Sequence, residues 1–489
     1  MTTKYARLGN MSSLYDSALV LELTNTRKSL QYTPTPGIVM RPLGAFALHE
    51  MMLKRDVPST VINYVDFWEP QELLEHIVAW CTKHAVRRPL VLCSTLFNTT
   101  LFESTTVAYY IIKELRLKYD ITVLIGGPNN KFIFDEVKPD LMFMGRAIHL
   151  FEHWLDGLPI SNDCLTVEYD GVPVYRPKNE TDLVEMPIVS RLFDDYCLQP
   201  RDVVSFETRL GCKFNCSFCS FEFRNAKKTH DAGTDALLKF FKVANEQYGL
   251  THFNCVDDTL NEDDTKIHYL LDAVQQLDYQ PKITAFIRFD VLIGKKKQMA
   301  WLDECGVHYH FWGTETFHPE ASKGIKKKMT REKSFENMHF IKDTYPHWHT
   351  FATHMIGLPQ EPIDHMVESI NYIHDNNLAD LQVFPLQLEK MQGRGEHSAD
   401  FVKYPEKFGI TLGKEITMQD GVNTIYDYHH EQCDFASAQR IAKRMYAKGA
   451  KKGFIPRDPW YKLCEDSLGD VTPEEHIQSY IVLKKVQML

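Results

Sequence analysis

The segment RLGCKFNCSFC, residues 209–219, places three cysteines, Cys212, Cys216 and Cys219, within eight residues. This spacing lets three thiolates close around one metal cluster from a single loop. A four-iron four-sulfur cluster normally takes four thiolates, and no fourth cysteine lies nearby in the sequence. A cluster held by three cysteines keeps one iron open to a ligand that does not come from the protein.

Two simpler interpretations of the three cysteines are a zinc site and unrelated core thiols. Zinc usually takes four ligands in paired spacings such as C-x2-C, and no second pair follows here. Buried free cysteines are common, but three within one short loop fit that explanation poorly. The spacing therefore favours an iron–sulfur cluster.

Length and composition indicate a globular protein of several domains. The chain has 489 residues, of which 44% are hydrophobic and 25% charged, as is usual for globular chains. No apolar run has the length of a membrane span, and the first residues lack the apolar core of a signal peptide. Eleven cysteines without an export signal predict a reducing compartment and a cytoplasmic protein.

The charge balance argues against a nucleic-acid partner. A net charge of −10 gives no general attraction to phosphate backbones. The run Lys326-Lys327-Lys328 is a local basic spot, and such runs are usually solvated faces of helices. We therefore expect a small-molecule or peptide substrate and no membrane or nucleic-acid partner.

Residues 1–175 predict an α/β domain. Five short apolar runs alternate with helical patterns, which is typical of a Rossmann-like, doubly wound parallel sheet. The predicted strands are 18–23, 60–65, 90–94, 122–125 and 141–144, and the predicted helices are 43–55, 70–84, 104–118 and 147–156. A hairpin around Asp170-Gly171 follows, and residues 176–202 are predicted to form a linker.

Candidate ligand-binding residues follow these strands. Ligands of doubly wound sheets lie at the carboxyl ends of the strands. Those ends carry Ser94 and Thr95, then Gly126 and Gly127, and finally Gly145. Glycines at such positions let a flat ligand approach the backbone closely.

Residues 203–395 predict a second α/β unit with six strand–helix repeats. The predicted strands are 203–208, 252–256, 283–287, 307–312, 350–356 and 381–386. Six such repeats make a partial (β/α)6 barrel, and barrel chemistry takes place at the carboxyl ends of the strands. The three cysteines follow the first of these strands. Residues 396–489 predict a mostly helical segment, which we interpret either as a substrate-capping domain or as a purely structural helical cap.

The C-x3-C-x2-C spacing, with Phe218 before the last cysteine, resembles the signature of the radical S-adenosylmethionine (radical SAM) superfamily. The resemblance implies that Cys212, Cys216 and Cys219 hold a 4Fe-4S cluster. It also implies that the open iron binds the amino and carboxylate groups of SAM. A reductant such as flavodoxin or ferredoxin is the implied partner.

The same resemblance implies contacts between the barrel and SAM. Glu315, in a strand similar to the superfamily's "G-x-E-S" strand with Thr316 in place of serine, is expected to accept from the ribose hydroxyls. Arg288 is expected to bind the SAM carboxylate. The alternative for both residues is a surface salt bridge.

Three further SAM contacts are implied by the resemblance. Asp257-Asp258 resembles the paired aspartates that end the second barrel strand in the cobalamin-linked group, and Asp258 is expected to contact SAM or substrate. A helix-capping or turn role is the alternative for this pair. Gly357 is expected to lie close to adenine, and Phe218 to stack on it or contribute backbone contacts.

The ordered glycines of the first domain resemble the N-terminal domain of cobalamin-binding radical SAM enzymes. Ser94, Thr95, Gly126, Gly127 and Gly145 would then contact cobalamin. The sequence has no D-x-H-x-x-G motif, so no histidine is offered as a lower axial ligand. The alternative is a Rossmann-like domain that has lost cobalamin and only packs or docks substrate.

Taken together, the resemblance implies an enzyme that cleaves SAM reductively to form a 5′-deoxyadenosyl radical. With cobalamin bound, the expected activity is methyl transfer to an unactivated carbon. The alternatives are an enzyme without functional cobalamin, or one that does not methylate, which catalyses isomerisation, oxidation or ring rearrangement. A cobalamin or iron–sulfur sensor is the third possibility. No residue is assigned as a catalytic acid or base.

Overall fold

The structure is a computed structural model of the chain. It describes residues 15–23, 40–41, 43–94, 102–127, 137–145, 147–158, 164–177, 197–220, 229–390, 399–417, 424–451 and 458–489. Thr95 and most of the predicted linker lie outside the described residues.

The first part of the chain forms the predicted doubly wound sheet. The strands are β1 (Ser17–Glu22), β2 (Met40–Arg41), β3 (Ser59–Ile62), β4 (Pro89–Ser94), β5 (Thr122–Gly127), β6 (Leu141–Met144), β7 (Cys164–Tyr169) and β8 (Val172–Pro177). All except β2 form one sheet in the order β3-β1-β4-β5-β6-β8-β7. The pairs are parallel except β7–β8, which is the predicted hairpin. The prediction of a Rossmann-like sheet is confirmed.

Helices cover both faces of this sheet. They are α1 (Leu43–Leu53), α2 (Pro70–Lys83), α3 (Phe102–Lys118) and α4 (Ile148–Leu155). Successive residues of a strand point to opposite faces. Accordingly, Val20 belongs to one apolar core, which includes residues of α1 and α4. Leu21 belongs to a second core, which includes residues of α2 and α3.

The second sheet is the predicted partial barrel. Its further strands are β9 (Val203–Phe206), β10 (His252–Cys255), β11 (Lys282–Arg288), β12 (Val307–Glu315), β13 (His349–Ile356) and β14 (Asp380–Pro385). The order is β14-β13-β12-β11-β10-β9-β2. The short strand β2, which sequence reasoning missed, pairs in parallel with β9 at one edge. The first segment of the chain thus contributes a strand to the barrel.

The barrel strands alternate with helices, as predicted. These are α5 (Thr234–Tyr248), α6 (Asp264–Val274), α7 (Phe289–Leu292), α8 (Lys296–Glu304), α9 (Pro319–Gly324), α10 (Arg331–Thr344) and α11 (Ile363–Asn376). Among the described residues, no helix has both the length and the apolar character that a membrane span requires.

The C-terminal segment contains a small antiparallel sheet in addition to helices. Its strands are β15 (Leu388–Lys390), β16 (Thr411–Thr417), β17 (Thr424–His430) and β18 (Cys433–Asp434). Its helices are α12 (Asp400–Lys403), α13 (Phe435–Lys451), α14 (Pro459–Leu468) and α15 (Pro473–Met488). The sheet was not anticipated. Strand β16 is mostly exposed and carries little apolar alternation, and β15 and β18 have only three and two residues.

The last two helices pack away from the C-terminal sheet, and the single capping domain over residues 396–489 stays a prediction. Helix α14 packs on the face of β12 that carries Tyr309 and Phe311. The Tyr309 hydroxyl donates to Asp466 at 2.5 Å, and the Trp460 ring lies 4.6 Å from that of Phe311. Helix α15 packs on α2 of the first domain instead. Apolar burial places each helix against a different sheet.

Candidate active site

The three cysteines lie on the loop that leaves β9 at its carboxyl end, which we call the cysteine loop (residues 209–220). Their side chains are half-buried, and none is in a disulfide. The Cys219 amide donates to the Cys216 carbonyl at 3.2 Å, which closes a turn between the last two cysteines. The loop therefore presents three thiols from one short stretch of backbone.

A buried carboxylate anchors the cysteine loop. Glu262 is 3% exposed and accepts from Arg209 Nη1 at 3.0 Å, from the Lys213 amide at 3.0 Å and from Lys266 Nζ at 3.2 Å. Arg209 also pairs with Asp231. Charge-assisted hydrogen bonds are stronger than neutral ones, so this network fixes the loop on both sides of Cys212. Sequence reasoning missed Glu262, because a single glutamate after a strand carries no recognisable pattern.

Asp257 has a structural role. Its Oδ1 accepts from the Thr208 amide at 2.7 Å, and its Oδ2 accepts from the Thr208 hydroxyl and pairs with Lys266 at 2.8 Å. Both oxygens thus join the end of β10 to the end of β9, a contact between strands that is neither a helix cap nor a turn. Asp258 is half-buried, and its contact with SAM or substrate stays a prediction.

The environment of Cys212 disfavours its ionised form. Burial raises the pKa of this thiol to about 11, and the carboxylates of Glu262 and Asp258 act in the same direction. Its sulfur lies 3.7 Å from the Thr259 hydroxyl. The neutral thiol is therefore favoured here, whereas a thiolate is the form that binds metal.

The structure brings Arg288 to the cysteine loop. Its Nη1 donates to the Cys216 sulfur at 3.4 Å, and its guanidinium lies 3.8 Å from the centre of the Phe214 ring. Its Nε donates to Asp290 and its Nη2 donates to the Lys326 carbonyl, each at 2.7 Å. The sequence thus located a cation beside the cysteines. The predicted contact with the SAM carboxylate is still untested.

Glu315 forms a buried ion pair with Lys327. The two side chains are 8% and 4% exposed, and Lys327 Nζ also donates to the Gly313 carbonyl at 2.7 Å. Burial raises the pKa of Glu315, whereas Lys327 lowers it. The interpretation of the lysine run as a solvated face is therefore wrong for Lys327, because this residue follows α9 into the interior. The proposed ribose contact of Glu315 is not tested by this geometry.

Gly357 lies under the C-terminal sheet. It adopts a positive φ of 89°, and a side chain there would meet the Tyr428 hydroxyl at 2.6 Å. His430 Nε2 lies 2.9 Å from the Gly357 carbonyl. Glycine is thus required here by the approach of Tyr428, whatever it contributes to SAM binding. Phe218 packs in the same apolar cluster as Tyr428, so the C-terminal sheet lies against the cysteine loop.

At the first sheet, most of the predicted cobalamin contacts lie on one edge. Ser94 and Gly127 end β4 and β5, Gly126 precedes Gly127, and Gly145 follows β6. The Gly145 amide donates to the Gly127 carbonyl at 3.1 Å. A side chain at Gly126 would meet no described atom within 4 Å. Their contact with cobalamin stays a prediction, and Thr95 falls outside the described part of the chain.

A buried ionic network fills the neighbouring part of the same edge. Arg41 donates to both oxygens of Asp202 at 3.0 Å, and its guanidinium lies 4.8 Å from the Tyr64 ring and 4.6 Å from the Tyr480 ring. Burial alone would raise the pKa of Asp202, but Arg41 and His476 hold it below its usual value. The network joins the two sheets and α15 beside the end of β3.

Comparison with known proteins agrees with this geometry. Residues 207–373 match the family model described as the radical SAM superfamily. The sequence has no significant match among curated proteins.

Two solved structures share the fold. One is the radical S-adenosylmethionine methyltransferase TsrM from Kitasatospora setae, with tryptophan and a SAM analogue bound; it has 11% identity and a TM-score of 0.60 over 92% of this chain and 89% of its own. The other is the cobalamin-dependent radical enzyme OxsB with aqua-cobalamin and SAM bound, with 14% identity and a TM-score of 0.54 over 81% of this chain. This chain spans 56% of the OxsB chain.

The family match covers the barrel from the end of β9 to α11 and includes all three cysteines. The structural matches extend the likeness in fold to the first sheet. The chain therefore carries a domain of the radical SAM superfamily, within a fold shared with solved cobalamin-dependent radical SAM enzymes.

Proposed function

We propose that this radical SAM enzyme holds a 4Fe-4S cluster on Cys212, Cys216 and Cys219 and uses cobalamin to methylate an unactivated carbon. The observation that carries the proposal is the set of three half-buried thiols, none of them in a disulfide, on one anchored loop at the carboxyl edge of the barrel sheet. Three thiol donors fit a cluster that leaves one iron open. When bound, the cluster and SAM supply a 5′-deoxyadenosyl radical, and cobalamin supplies a methyl group.

The residues around the cysteine loop have defined tasks in this proposal. Arg288 orients the SAM carboxylate through a single charge-assisted contact from Nη1 beside Cys216. Glu315 accepts hydrogen bonds from the ribose, and its buried position strengthens each of them. The C-terminal sheet, through Tyr428 and His430, covers Gly357 and excludes water from that side.

Cobalamin is a further part of the proposal, and the carboxyl edge of β4 to β6 supports it. Among the described residues, no atom would lie within 4 Å of a side chain at Gly126, and two solved enzymes of similar fold are named for cobalamin-dependent chemistry or methyl transfer. The proposal also includes a small-molecule or peptide substrate, a flavodoxin or ferredoxin reductant and a cytoplasmic location.

The second candidate function is radical chemistry without cobalamin. The edge beside β3 is filled by Arg41, Tyr64 and Tyr480, and the sequence lacks D-x-H-x-x-G. These observations favour a first domain that only packs or docks substrate. The reaction would then be an isomerisation, oxidation or ring rearrangement.

Cobalt stoichiometry separates the two candidates. The protein is reconstituted anaerobically with iron, sulfide and hydroxocobalamin and desalted, and cobalt is then measured per chain. Methyl transfer predicts roughly one cobalt per chain, because the fold offers a single doubly wound sheet. Cobalt near zero, with SAM cleavage retained, would leave the radical chemistry and remove the methyl-transfer proposal.

A pair of variants shows where cobalamin binds. Gly126→Trp places an indole in the open space at the carboxyl edge, so it should abolish cobalt retention while SAM cleavage persists. Leu117→Trp is the matched control. Leu117 is 75% exposed near the end of α3. Its neighbour Arg116 donates to the carbonyl of Lys138, which precedes β6. Leu117 therefore lies at the opposite edge of the sheet. Equal cobalt retention by both variants would contradict the assigned edge.

A further inference from the structure

Three potential metal ligands meet at the amino ends of β12 and β13. Asp303 lies in the last turn of α8, His308 is the second residue of β12, and His347 precedes β13. The amino ends of parallel strands lie at the opposite edge of the sheet from the carboxyl ends. This group is therefore separate from the cysteine loop and has no role in the proposed reaction.

The distances within this group suit a transition-metal ion. One ligand atom from each of the three side chains lies within 4.8 Å of the others. His347 Nε2 is 2.6 Å from Asp303 Oδ1, and His308 Nε2 is 3.4 Å from the same oxygen. Zinc bonds of about 2.0–2.1 Å in a tetrahedral site separate ligand atoms by about 3.3 Å. Small rotations of the two rings would bring all three atoms to that separation.

The surroundings support a bound ion. The Trp348 indole donates to Asp303 Oδ1 at 2.8 Å and so fixes the orientation of the carboxylate, as hydrogen bonds behind the ligands of metal sites do. The two imidazole rings lie 4.8 Å apart and nearly perpendicular, at 85°. The three side chains are 20–49% exposed, so an ion can enter from solvent.

We propose that Asp303, His308 and His347 bind Zn²⁺ at the amino edge of the barrel, with a fourth position open to water. Two imidazole nitrogens and one carboxylate oxygen are ligands that zinc takes readily. The ion would tie the end of α8 to the starts of β12 and β13. Without zinc, the same side chains are held by hydrogen bonds around Asp303.

Zinc content after cluster loading tests the proposal. Wild-type protein carrying its iron–sulfur cluster is incubated anaerobically with Zn²⁺, passed over a chelating resin and analysed for zinc and iron. Wild type should retain about one zinc per chain, whereas Asp303→Asn and His347→Ala should retain none. His84→Ala, which removes an exposed histidine at the end of α2, should behave as wild type. Iron content shows that zinc has not displaced the cluster.

Stability gives a second measurement. An ion that binds only the folded state raises the melting temperature, so zinc should raise Tm for wild type and His84→Ala but not for Asp303→Asn or His347→Ala. Equal zinc retention by all four proteins would overturn the proposal, because the zinc would then lie elsewhere. Absence of zinc from wild type would also overturn it.

Discussion

The carboxylate of Glu315 is paired with the ammonium of Lys327 in a nearly dry site behind the cysteine loop. Lys327 Nζ lies 6.0 Å from the centre of the Phe218 ring, and Glu315 adopts a positive φ of 56°. A buried ion pair is costly to desolvate, and removing one partner leaves an uncompensated charge. The pair therefore couples local stability to the residue that we expect to bind the SAM ribose.

Replacing Lys327 alone should destabilise the protein. Lys327→Met leaves the Glu315 carboxylate buried without its cation, which costs about 3–5 kcal/mol. Replacing both residues by neutral ones of similar size should recover most of this loss. Thermal unfolding of Lys327→Met and of the double variant Glu315→Gln/Lys327→Met measures both effects. Equal destabilisation of the two variants would show that the charge is not the cause.

SAM affinity of Glu315→Ala and of the double variant tests the ribose contact. A hydrogen bond to a charged group is worth about 1.5–3 kcal/mol, so Glu315→Ala should bind SAM at least about tenfold more weakly. The double variant keeps an amide oxygen that can accept from the ribose, so its loss of affinity should be smaller. Equilibrium dialysis with SAM under anaerobic conditions measures this. Unchanged affinity of Glu315→Ala would assign the ribose contact to another residue.

Glu262 should control how well the cysteine loop takes up iron. Glu262→Gln keeps the shape of the side chain but removes the charge shared by Arg209, Lys266 and the Lys213 amide. We expect less iron per chain after reconstitution although all three cysteines are present. Glu368→Gln, which alters an exposed ion pair with Arg331, is the control. Full iron loading of Glu262→Gln would refute the anchoring role.

Asp202 should be essential for holding the two sheets together. Asp202→Ala leaves Arg41 buried without its partner, and we expect a loss of about 3–5 kcal/mol in the free energy of unfolding. Truncation after residue 470 should likewise destabilise the first domain, because α15 supplies Tyr480 and His476 to the same network. Differential scanning calorimetry measures both losses. An unchanged free energy of unfolding in the truncated protein would contradict the stabilising role of α15.

Buried histidines should make the protein less stable in mild acid. Burial lowers the pKa of His49 and of His252 to about 4, whereas the unfolded chain titrates near 6.5. Their contribution is therefore complete above about pH 6.5 and is lost as the pH falls toward 4. Each histidine adds a slope of up to about 1.4 kcal/mol per pH unit in that window.

Urea unfolding of His49→Gln between pH 7 and pH 5 checks this prediction. The free energy of unfolding of the variant should fall less steeply with decreasing pH than that of wild type. The difference in slope should correspond to about one fewer proton taken up on unfolding. His84→Gln, with an exposed ring, serves as the control and should match wild type. A slope for His49→Gln equal to that of wild type would contradict the burial argument.

Local sequence patterns were sufficient to predict most of the fold. The apolar runs of β1, β4 and β5 and the helical periodicity of α5, α6 and α11 depend on burial and spacing that a sequence displays directly. The strand β2 was missed because its two residues carry no periodicity and its pairing with β9 spans more than 160 positions. The positions of α14 and α15 depend on tertiary packing, which their own residues do not specify.

The candidate site was predicted less completely than the fold. The cysteines and Arg288 were found because thiols at close spacing and a cation after a strand are visible in the sequence. Glu262 and Lys327 were missed as functional partners because their importance lies in distant contacts. The partners Arg209 and Lys213 lie 53 and 49 positions from Glu262 along the chain, and Glu315 lies 12 positions from Lys327. Charge pairs of this kind become visible only once the strands are placed side by side.

The most direct test of the central claim is the formation of 5′-deoxyadenosine by reconstituted protein supplied with SAM and a strong reductant. We expect wild type and Cys81→Ala, which alters a buried thiol of α2, to form it. Alanine at Cys212, Cys216 and Cys219 should abolish both the product and the visible absorbance of the cluster. Formation of 5′-deoxyadenosine by the triple-alanine variant, or its absence from wild type with a full complement of iron, would contradict the assignment.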